Sequence, residues 1–408
     1  MTGPVRDDRP MFPLRTVVIG TFLPTILFEL GVGAMLPVIA SSATALGASL
    51  ATAGLVVTLM PLGQILADVP AGALAARVGD RPAMVVAGTI ATAGFVLAAL
   101  ATHVAVLGLA VVLVGVASSV YFLARQSYLT EVTPPLKRAR VLSTLGGVHR
   151  IGQFIGPFAG AALIALGGLP WAYWMAAVAA ALSVAVVLAA GADDAAASSR
   201  GAPVPLRQVA REHAHVFATL GIAVLLIGAV RGARLTVLPL WAEHLGIDPA
   251  QTSLVFGLAG AVDMLLFYPA GKIMDHFGRL WIGIPSMLVM GAALVALPFT
   301  TTVGALAVVA AALGLGNGLS SGILMTLGAD VAPAATRAQF LGVWRVLSDL
   351  GLAVGPLVLT LAAALGSVAG GVWVLAATSG ASAAAQARWV PRHSVHANRT
   401  TRRRAGLA

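Results

Sequence analysis

The chain has 408 residues, of which 59% are hydrophobic and only 10% are charged, and its mean hydropathy is +0.94. Soluble domains carry roughly 25% charged residues, so this chain has too few charges to coat a water-facing surface, and most of its surface must face lipid. It contains no Cys, which excludes disulfides, thiolate metal sites and Cys nucleophiles. Its formal net charge is +10, but the basic residues lie in short loops and tails, a distribution that argues against nucleic-acid binding.

Twelve hydrophobic stretches are long enough to cross a bilayer, for which a helix needs about 20 apolar residues. The first follows a polar N-terminus and is too long for a signal-peptide core, so we expect it to be retained. The predicted spans, numbered 1 to 12, lie near residues 16–40, 50–74, 82–101, 104–128, 140–165, 170–190, 215–241, 251–272, 280–298, 303–328, 338–364 and 368–389.

The positions of Lys and Arg predict the orientation of these spans. Of the 25 Lys and Arg, 20 lie in the two termini, the central loop and loops 2–3, 4–5, 8–9 and 10–11, each loop being named by the spans it joins. The other loops contain no Lys or Arg, and their charges are Glu243 and Asp248. We therefore expect a multi-pass protein of the cell (inner or plasma) membrane with both termini cytoplasmic.

Two motifs occur twice at one distance, which indicates a tandem duplication. The segment PAGALAARVGDR, Pro70 to Arg81, returns as PAGKIMDHFGR, Pro269 to Arg279. A second segment ends in Gly-x-x-x-Gly-Pro and also returns 199 residues later. The paired positions are Gly72 and Gly271, Gly79 and Gly278, Gly152 and Gly351, Gly156 and Gly355, and Pro157 and Pro356.

The first motif resembles the signature loop of the major facilitator superfamily, which joins the second and third spans with Gly-x-x-x-Asp-(Arg/Lys)-x-Gly-(Arg). The second copy fits it with Gly271, Asp275, Gly278 and Arg279. The first copy contains Gly72, Arg77, Gly79 and Arg81. It departs from the family at Ala76, where Asp is usual, and at Asp80, where a basic residue is usual.

The run Gly152-x-x-x-Gly156-Pro157-x-x-Gly160 resembles the fifth-helix motif of the family's drug–proton antiporters. The resemblance covers nearly the whole chain. It implies an all-α integral membrane protein with twelve transmembrane helices in two pseudo-symmetric six-helix halves.

The expected organisation has five parts. Residues 1–15 form a cytoplasmic N-terminal segment, 16–190 the N-terminal six-helix half, 191–214 a cytoplasmic linker rich in Ala, Ser and Pro, 215–389 the C-terminal half, and 390–408 a cytoplasmic tail. The tail sequence from His393 onward is expected to be disordered. Its arginines either set the topology or touch anionic lipid.

Eight charged residues fall inside predicted spans, where a charge costs about 2.5–3.5 kcal/mol on insertion scales. They are Glu29, Arg125, Arg150, Arg231, Arg234, Asp263, Arg345 and Asp349. Such residues normally face the bundle interior and mark functional sites. The candidates for proton coupling are Glu29, Asp263 and Asp349. The alternative for Glu29 is a neutral side chain that bonds a neighbouring helix, and for Asp263 a structural pair with Arg231 or Arg234.

The candidates for a substrate cavity are Arg150, Arg231, Arg234, Asn317, Trp344 and Arg345. Asn317 either contacts substrate or joins two helices. Arg345 and Asp349, four residues apart, share a helix face. Asp349 corresponds to Arg150 at the 199-residue offset, which predicts a salt bridge between the halves, either permanent or broken during transport. Arg125 is expected to be structural and to pair with an acid such as Glu131.

The signature loops have a mechanical interpretation. Gly72 and Gly271 are expected to allow close helix approach, and Gly79 and Gly278 a tight turn. Asp275 is a candidate latch that would contact a helix N-terminus or a basic partner. Asp68 is expected to take over part of the role of the acid that is missing at Ala76. The small residues at the helix-5 and helix-11 motifs, namely Gly152, Gly156, Gly160, Gly351 and Gly355, predict close packing. Pro157 and Pro356 either bend these spans or serve packing only.

These observations predict a secondary active transporter that binds a small molecule near the midplane between its halves. The leading hypothesis is proton-coupled efflux of small lipophilic or drug-like compounds by alternating access. The alternative is proton-coupled transport of a specific anionic metabolite, which the intramembrane arginines favour. A membrane sensor or membrane enzyme is disfavoured because no effector domain or catalytic motif is present. We expect no enzymatic activity, no cofactor and no metal; the expected partners are the lipid bilayer, substrate and protons, and the expected state is a monomer.

Overall fold

The structure is a computed structural model that describes residues 18–132, 138–190, 206–320, 322–333 and 337–406. Twelve helices in these ranges are long and apolar enough to cross a membrane, and each corresponds to one predicted span. Leucines such as Leu265, 73% exposed, lie on the outside of the bundle, where lipid would cover them. We call the end of the bundle with loops 2–3, 4–5, 8–9 and 10–11 the basic end, and the other the opposite end.

The helices of the N-terminal half are continuous except in span 1. Span 1 consists of a π-helical turn Val18–Phe22, an α-helix Leu23–Met35, a 3-10 turn Leu36–Val38 and an α-helix Ile39–Ala45. Spans 2 to 6 are the helices Leu50–Val78, Asp80–Ala99, Val104–Val132, Arg138–Gly167 and Leu169–Ala189.

The C-terminal half contains the other six spans. Spans 7 to 9 are the helices Ala214–His244, Pro249–Phe277 and Leu280–Ala296, the last followed by a 3-10 turn Leu297–Phe299. Span 10 comprises Val303–Leu319 and Ile323–Val331, and spans 11 and 12 are Arg337–Ala364 and Val368–His393. The break in span 10, where Gly322 has a φ of +80°, was not predicted. In the predicted linker, a helix covers Leu206–Glu212, and residues 191–205 lie outside the described residues.

The duplicated sequence produces matching helix ends in the two halves. Ser49 caps span 2 by accepting from the Thr52 N–H at 3.2 Å. Asp248, which lies 199 residues later, caps span 8 by accepting from the Ala250 N–H at 2.9 Å. Gly79 and Gly278 end these helices with φ values of 90° and 106°. Only glycine adopts such angles readily, so the predicted tight turns are confirmed.

Packing within the halves follows the same repeat. Span 1 packs on spans 5 and 6, span 4 on spans 2 and 3, and span 3 on span 6; spans 7 to 12 repeat each of these pairs. The halves meet where span 2 packs on span 11 and span 5 packs on span 8. The region between the halves is therefore bounded by helices of both copies.

Glycines bring span 5 against span 1 and span 11 against span 7. A Cβ atom at Gly156 would lie 2.6 Å from the carbonyl oxygen of Leu30, and one at Gly355 only 2.1 Å from that of Ala229. The backbones therefore touch, which confirms the predicted close packing. Pro157 and Pro356 lie inside continuous helices, so neither proline interrupts its span.

The prediction that the tail is disordered is wrong. The backbone N–H groups of Arg279 and Leu280 in loop 8–9 donate to the carbonyls of His396 and Ala397 at 3.1 and 3.0 Å. A capping box then starts a short helix, Arg399–Arg404. A Cβ atom at Gly278 would lie 2.6 Å from the Ala397 carbonyl oxygen, so this glycine makes room for the tail. Such backbone contacts leave no hydrophobic pattern in the sequence, which is why the docking was not predicted.

Replacing Gly355 by Ala is expected to destabilise the protein by about 1–3 kcal/mol, because the added methyl group overpacks the contact with span 7. The measurement is the temperature at which the detergent-solubilised protein loses half its soluble fraction. Gly380→Ala in span 12 is the matched control, since nothing lies within 4 Å of a Cβ atom there, and it should cause no loss. Equal stability of the two variants would contradict the close packing.

Candidate functional site

A cavity of about 40 Å³ lies between the halves and is lined by spans 1, 5, 7 and 8. Its polar lining consists of Arg150, Gln153, Arg234 and Asp263, and its other lining residues are Gly33, Leu36, Phe154, Leu235, Phe256, Gly260 and Met264. Asp263 lies at the middle of span 8, which places the cavity halfway along the bundle. A water molecule needs about 10–15 Å³, so this conformation holds a few waters. An organic molecule can enter only when the halves move apart.

One polar cluster connects the cavity to span 10. The Arg234 Nη2 atom lies 3.9 Å from Asp263 Oδ2, and Asn317 Nδ2 donates to the same oxygen at 2.7 Å. Asn317 Oδ1 accepts from Arg231 Nε at 3.0 Å. The charge of Arg150 is attracted to Asp263 and repelled by Arg234. The structure therefore brings five predicted site residues together, with Asn317 joining helices and Arg234 paired with Asp263.

A second polar network surrounds Glu29 in span 1. Its Oε1 atom accepts from Arg125 Nη1 at 3.0 Å and lies 2.7 Å from His149 Nδ1. Its Oε2 atom accepts from Gln153 Nε2 at 3.3 Å. The side chains of Arg125 and Glu29 are 1% and 8% exposed, whereas that of His149 is 30% exposed. Because Gln153 also lines the cavity, this network is connected to it.

The Glu29 network depends on how closely spans 1, 4 and 5 pack. A Cβ atom at Gly152 would lie 2.6 Å from Glu29 Cβ, so only glycine lets span 5 bring its polar side chains to this carboxylate. The rings of Phe28 and Tyr121 stack with centroids 4.2 Å apart, which holds span 4 against span 1. The expected partner of Arg125 was an acid such as Glu131; the structure pairs it with Glu29, and the side chain of Glu131 lies outside the described part.

A salt bridge connects the halves on the basic side of the cavity. Arg345 Nε in span 11 donates to Asp349 Oδ2 at 3.2 Å, and Arg345 Nη2 lies 3.9 Å from Asp68 Oδ1 in span 2. The Ser119 hydroxyl donates to the same Asp68 oxygen. The guanidinium also lies 4.5 Å from the Phe122 ring centroid. Asp68 therefore contacts the other half.

This arrangement corrects two sequence predictions. The predicted bridge joined Arg150 to Asp349, but the structure places Arg150 near Asp263 and pairs Asp349 with Arg345. Arg345 was expected in the substrate cavity, and it lies instead at the contact between the halves. The predicted partner came from symmetry alone, and Asp68 has no acidic counterpart at the offset because Phe267 stands there.

The signature loops tie spans together within each half. Arg81 is buried, donates to the Tyr128 hydroxyl at 3.0 Å and lies 4.9 Å from its ring centroid. Arg279 is also buried and donates through Nε and Nη2 to the two oxygens of Asp330 at 3.1 and 3.2 Å. The Ser394 hydroxyl of the tail donates to Asp330 Oδ2 at 2.7 Å. Loop 2–3 is thus fastened to span 4, and loop 8–9 to span 10 and the tail.

Other loop predictions have different outcomes. The structure does not support close approach at Gly271, because none of the described residues places an atom within 4 Å of a Cβ atom built there. Arg77 is exposed at the end of span 2. The surroundings of Gly72 and the side chain of Asp275, the candidate latch, lie outside the described residues.

Trp344, like Arg345, lies outside the cavity in which it was predicted, and two residues of the site were not predicted. Trp344 is buried, and its indole N–H donates to the Leu324 carbonyl at 2.8 Å, so it packs span 11 on span 10 instead of lining the cavity. His149 and Gln153 were not predicted. Both lie next to residues that were singled out, Arg150 and Gly152, and a His inside a predicted span was the signal that could have been used.

Twelve spans in two repeated halves, with a polar cavity between them, are the architecture of a membrane transporter. The chain matches the family model of the Major Facilitator Superfamily over residues 21–218 and 220–407, and it belongs to that superfamily. Its members are transporters and not enzymes, which confirms the prediction that the chain is no enzyme.

Curated relatives and solved structures agree with this family. The chain is 26% identical over 318 residues to the multidrug resistance protein MdtH of Yersinia pestis (strain Pestoides F), and the match covers 76% of each chain. A POT family transporter in complex with a thioalcohol-conjugated peptide has a TM-score of 0.76 at 12% identity, covering 93% of this chain and 96% of that one. A D-xylose–proton symporter has a TM-score of 0.70 at 14% identity, covering 91% and 96%. The human organic anion transporter MFSD10 has a TM-score of 0.66 at 16% identity, covering 91% and 99%. At these identities the solved structures show the fold alone.

Replacing Asp68 by Asn is expected to favour separation of the halves at the basic end, because it removes the charge that attracts Arg345. The Arg345 side chain is 37% exposed, so the bridge is worth at most about 1 kcal/mol, or about a fivefold change in the ratio of conformers. The measurement is the distance between spin labels on cysteines introduced at the exposed Val78 and Ile273, in a chain with no native Cys.

Asp248→Asn is the matched control for this experiment. It removes a carboxylate at the opposite end and keeps the helix cap, since Asn caps as well as Asp. The Asp68 variant should shift the distances toward longer values and the control should not. Identical distance distributions in both variants would contradict a closing role for the bridge.

Proposed function

We propose that the protein exports small drug-like organic compounds by alternating access, in exchange for protons. The observation that carries the proton coupling is the contact of two titratable groups, Glu29 and His149, beside the substrate cavity. A carboxylate and an imidazole 2.7 Å apart can share one added proton. Because Arg125 stays protonated throughout, the network is neutral without that proton and carries a net charge of +1 with it. The similarity to proteins named for multidrug resistance supports export of drug-like compounds.

Gln153 connects this proton site to the cavity. Its amide donates to Glu29, while the same residue lines the cavity together with Arg150 and Asp263. When Glu29 takes up a proton, its attraction for Arg125 and for the Gln153 amide weakens, and Gln153 is free to turn toward the cavity. Proton binding and substrate binding are then competing events at one place, as exchange of the two requires.

We further propose that the basic end faces the cytoplasm of the cell membrane, in line with the distribution of Lys and Arg. The transport unit is then a monomer in which residues 16–190 and 215–389 rock about the cavity, with 191–214 as their cytoplasmic connection. Asp263 and Asp349 remain secondary candidates for proton carriers. Asp263 lies in the cavity itself, and Asp349 shares Arg345 with Asp68.

A second candidate function is proton-coupled transport of a specific anionic metabolite. The number of arginines around the cavity favours it, because Arg150, Arg231 and Arg234 outnumber Asp263. Both candidates use the same cavity and the same proton site.

Replacing Glu29 by Gln is expected to reduce substrate-driven proton movement roughly tenfold or more, because the amide oxygen can still accept from Arg125 but the amide cannot exchange a proton. The measurement uses proteoliposomes with a trapped pH dye and an imposed pH gradient, to which ethidium or a naphthalenesulfonate is added. Binding of the same compounds to the variant in detergent should remain measurable.

His149→Gln should shift the pH at which transport is half-maximal.

The matched control is Glu212→Gln, which changes an exposed carboxylate on the short helix before span 7. It should leave proton movement unchanged. Wild-type proton movement in the Glu29 variant would show that the proton is carried elsewhere. Absence of substrate-driven proton movement in the wild-type protein would rule out exchange with protons.

A further inference from the structure

The charges around the cavity do not balance. Three guanidinium groups, of Arg150, Arg231 and Arg234, surround one carboxylate, that of Asp263, and their charges interact. Arginine remains protonated in proteins, so the cluster carries a net charge of +2 when Asp263 is ionised. A net charge in the middle of an apolar bundle is unfavourable unless a counter-ion accompanies it.

Three other acids of the described spans near the cavity contact other basic groups. Glu29 is bonded to Arg125 and His149. Asp68 and Asp349 both lie at Arg345. These three acids therefore contact basic groups other than those of the cluster.

Among the buried polar atoms of the cluster, Arg234 Nε and Asp263 Oδ1 have no hydrogen-bond partner in the described part of the chain. The Arg234 side chain is 11% exposed and lines the cavity. A buried guanidinium donor without an acceptor costs free energy, and an anionic oxygen in the cavity would satisfy it.

The rest of the lining is suited to an apolar body. Leu36, Phe154 and Phe256 surround the polar groups, and open space adjoins Gly260, since nothing lies within 4 Å of a Cβ atom built there. A cavity of about 40 Å³ has room for a charged head group and not for a whole organic molecule. Separation of the halves would admit the remainder.

We propose that this cavity selects organic anions, molecules in which a carboxylate or sulfonate is attached to an apolar, aromatic body. The anionic oxygens lie between Arg150 of the N-terminal half and Arg234 of the C-terminal half, and the apolar body contacts Leu36, Phe154 and Phe256. Because the two arginines come from different halves, the anion draws the halves together around it. This proposal rests on the proposed function in taking the cavity as the transport site, and it assigns the charge of the substrate.

The test compares binding of a naphthalenesulfonate and of the corresponding neutral sulfonamide, which have the same ring and differ in charge. Calorimetric titration of the detergent-solubilised protein measures both affinities. The sulfonate should bind at least about 10-fold more tightly, since hydrogen bonds to a charged group are the stronger ones. Equal affinities, or tighter binding of ethidium than of the sulfonate, would overturn the proposal.

Substitutions with opposite expected signs locate the site. Arg150→Gln should weaken sulfonate binding about 10- to 100-fold and leave sulfonamide binding unchanged. Asp263→Asn should strengthen sulfonate binding, because it removes the competing negative charge. Arg392→Gln, on the exposed side of span 12, is the matched control and should have no effect. An equal loss of affinity for both compounds in Arg150→Gln, or weaker sulfonate binding in Asp263→Asn, would show that the anion does not bind in this cavity.

The two proposals fail in different ways. Selective sulfonate binding without substrate-driven proton movement would leave the anion site standing and reject exchange with protons. Proton movement driven by ethidium, with no selectivity for the sulfonate, would keep the proposed function and reject the anion site. The thermal stability of each variant, measured in parallel, separates a lost site from a lost fold.

Discussion

The central constraint on this molecule is the cost of a charge in an apolar bundle. Only 10% of its residues are charged, yet a set of acids and arginines lies at mid-bundle, where each unpaired charge is expensive. The structure meets this cost by pairing. Glu29 bonds Arg125 inside the N-terminal half, Arg345 bridges Asp349 to Asp68 between the halves, and Asp263 is shared by Arg234 and Asn317. These pairs, together with the arginine cluster around Asp263 that keeps an excess of positive charge, determine where a proton or a substrate can bind.

Close helix packing makes these pairs possible. Gly152 lets span 5 touch the span 1 backbone beside Glu29, so His149 and Gln153 of one helix reach the carboxylate of the other. The same helix carries Arg150 into the cavity. Span 5 therefore links the proton site to the substrate site, and a movement of this helix against span 8 would change both. Coupling in this account is a consequence of two sites sharing one rigid helix.

The sequence contained most of the fold and only part of the site. The twelve spans could be predicted from the length of the hydrophobic stretches. The two repeated halves could be predicted from the 199-residue distance between repeated motifs, which also separates the helix caps Ser49 and Asp248. The in-span charges could be identified as candidates because a charged residue in an apolar stretch is conspicuous. Their partners could not be identified, because pairing depends on helix rotation and register. Arg125 pairs with Glu29 of another helix, and Arg345 pairs across the halves with Asp68. Docking of the tail on loop 8–9 rests on backbone hydrogen bonds, which no side-chain pattern encodes.

The most direct test of coupling between the two sites is the number of protons released when a compound binds. It is measured by calorimetric titration in buffers with different ionisation enthalpies, using whichever of ethidium and the naphthalenesulfonate binds more tightly. The account predicts that the wild-type protein exchanges protons with the buffer on binding, and that the Glu29→Gln variant binds the compound without doing so. Proton exchange of the same size in both proteins, or binding to the wild-type protein with none, would contradict the link between the Glu29 network and the cavity.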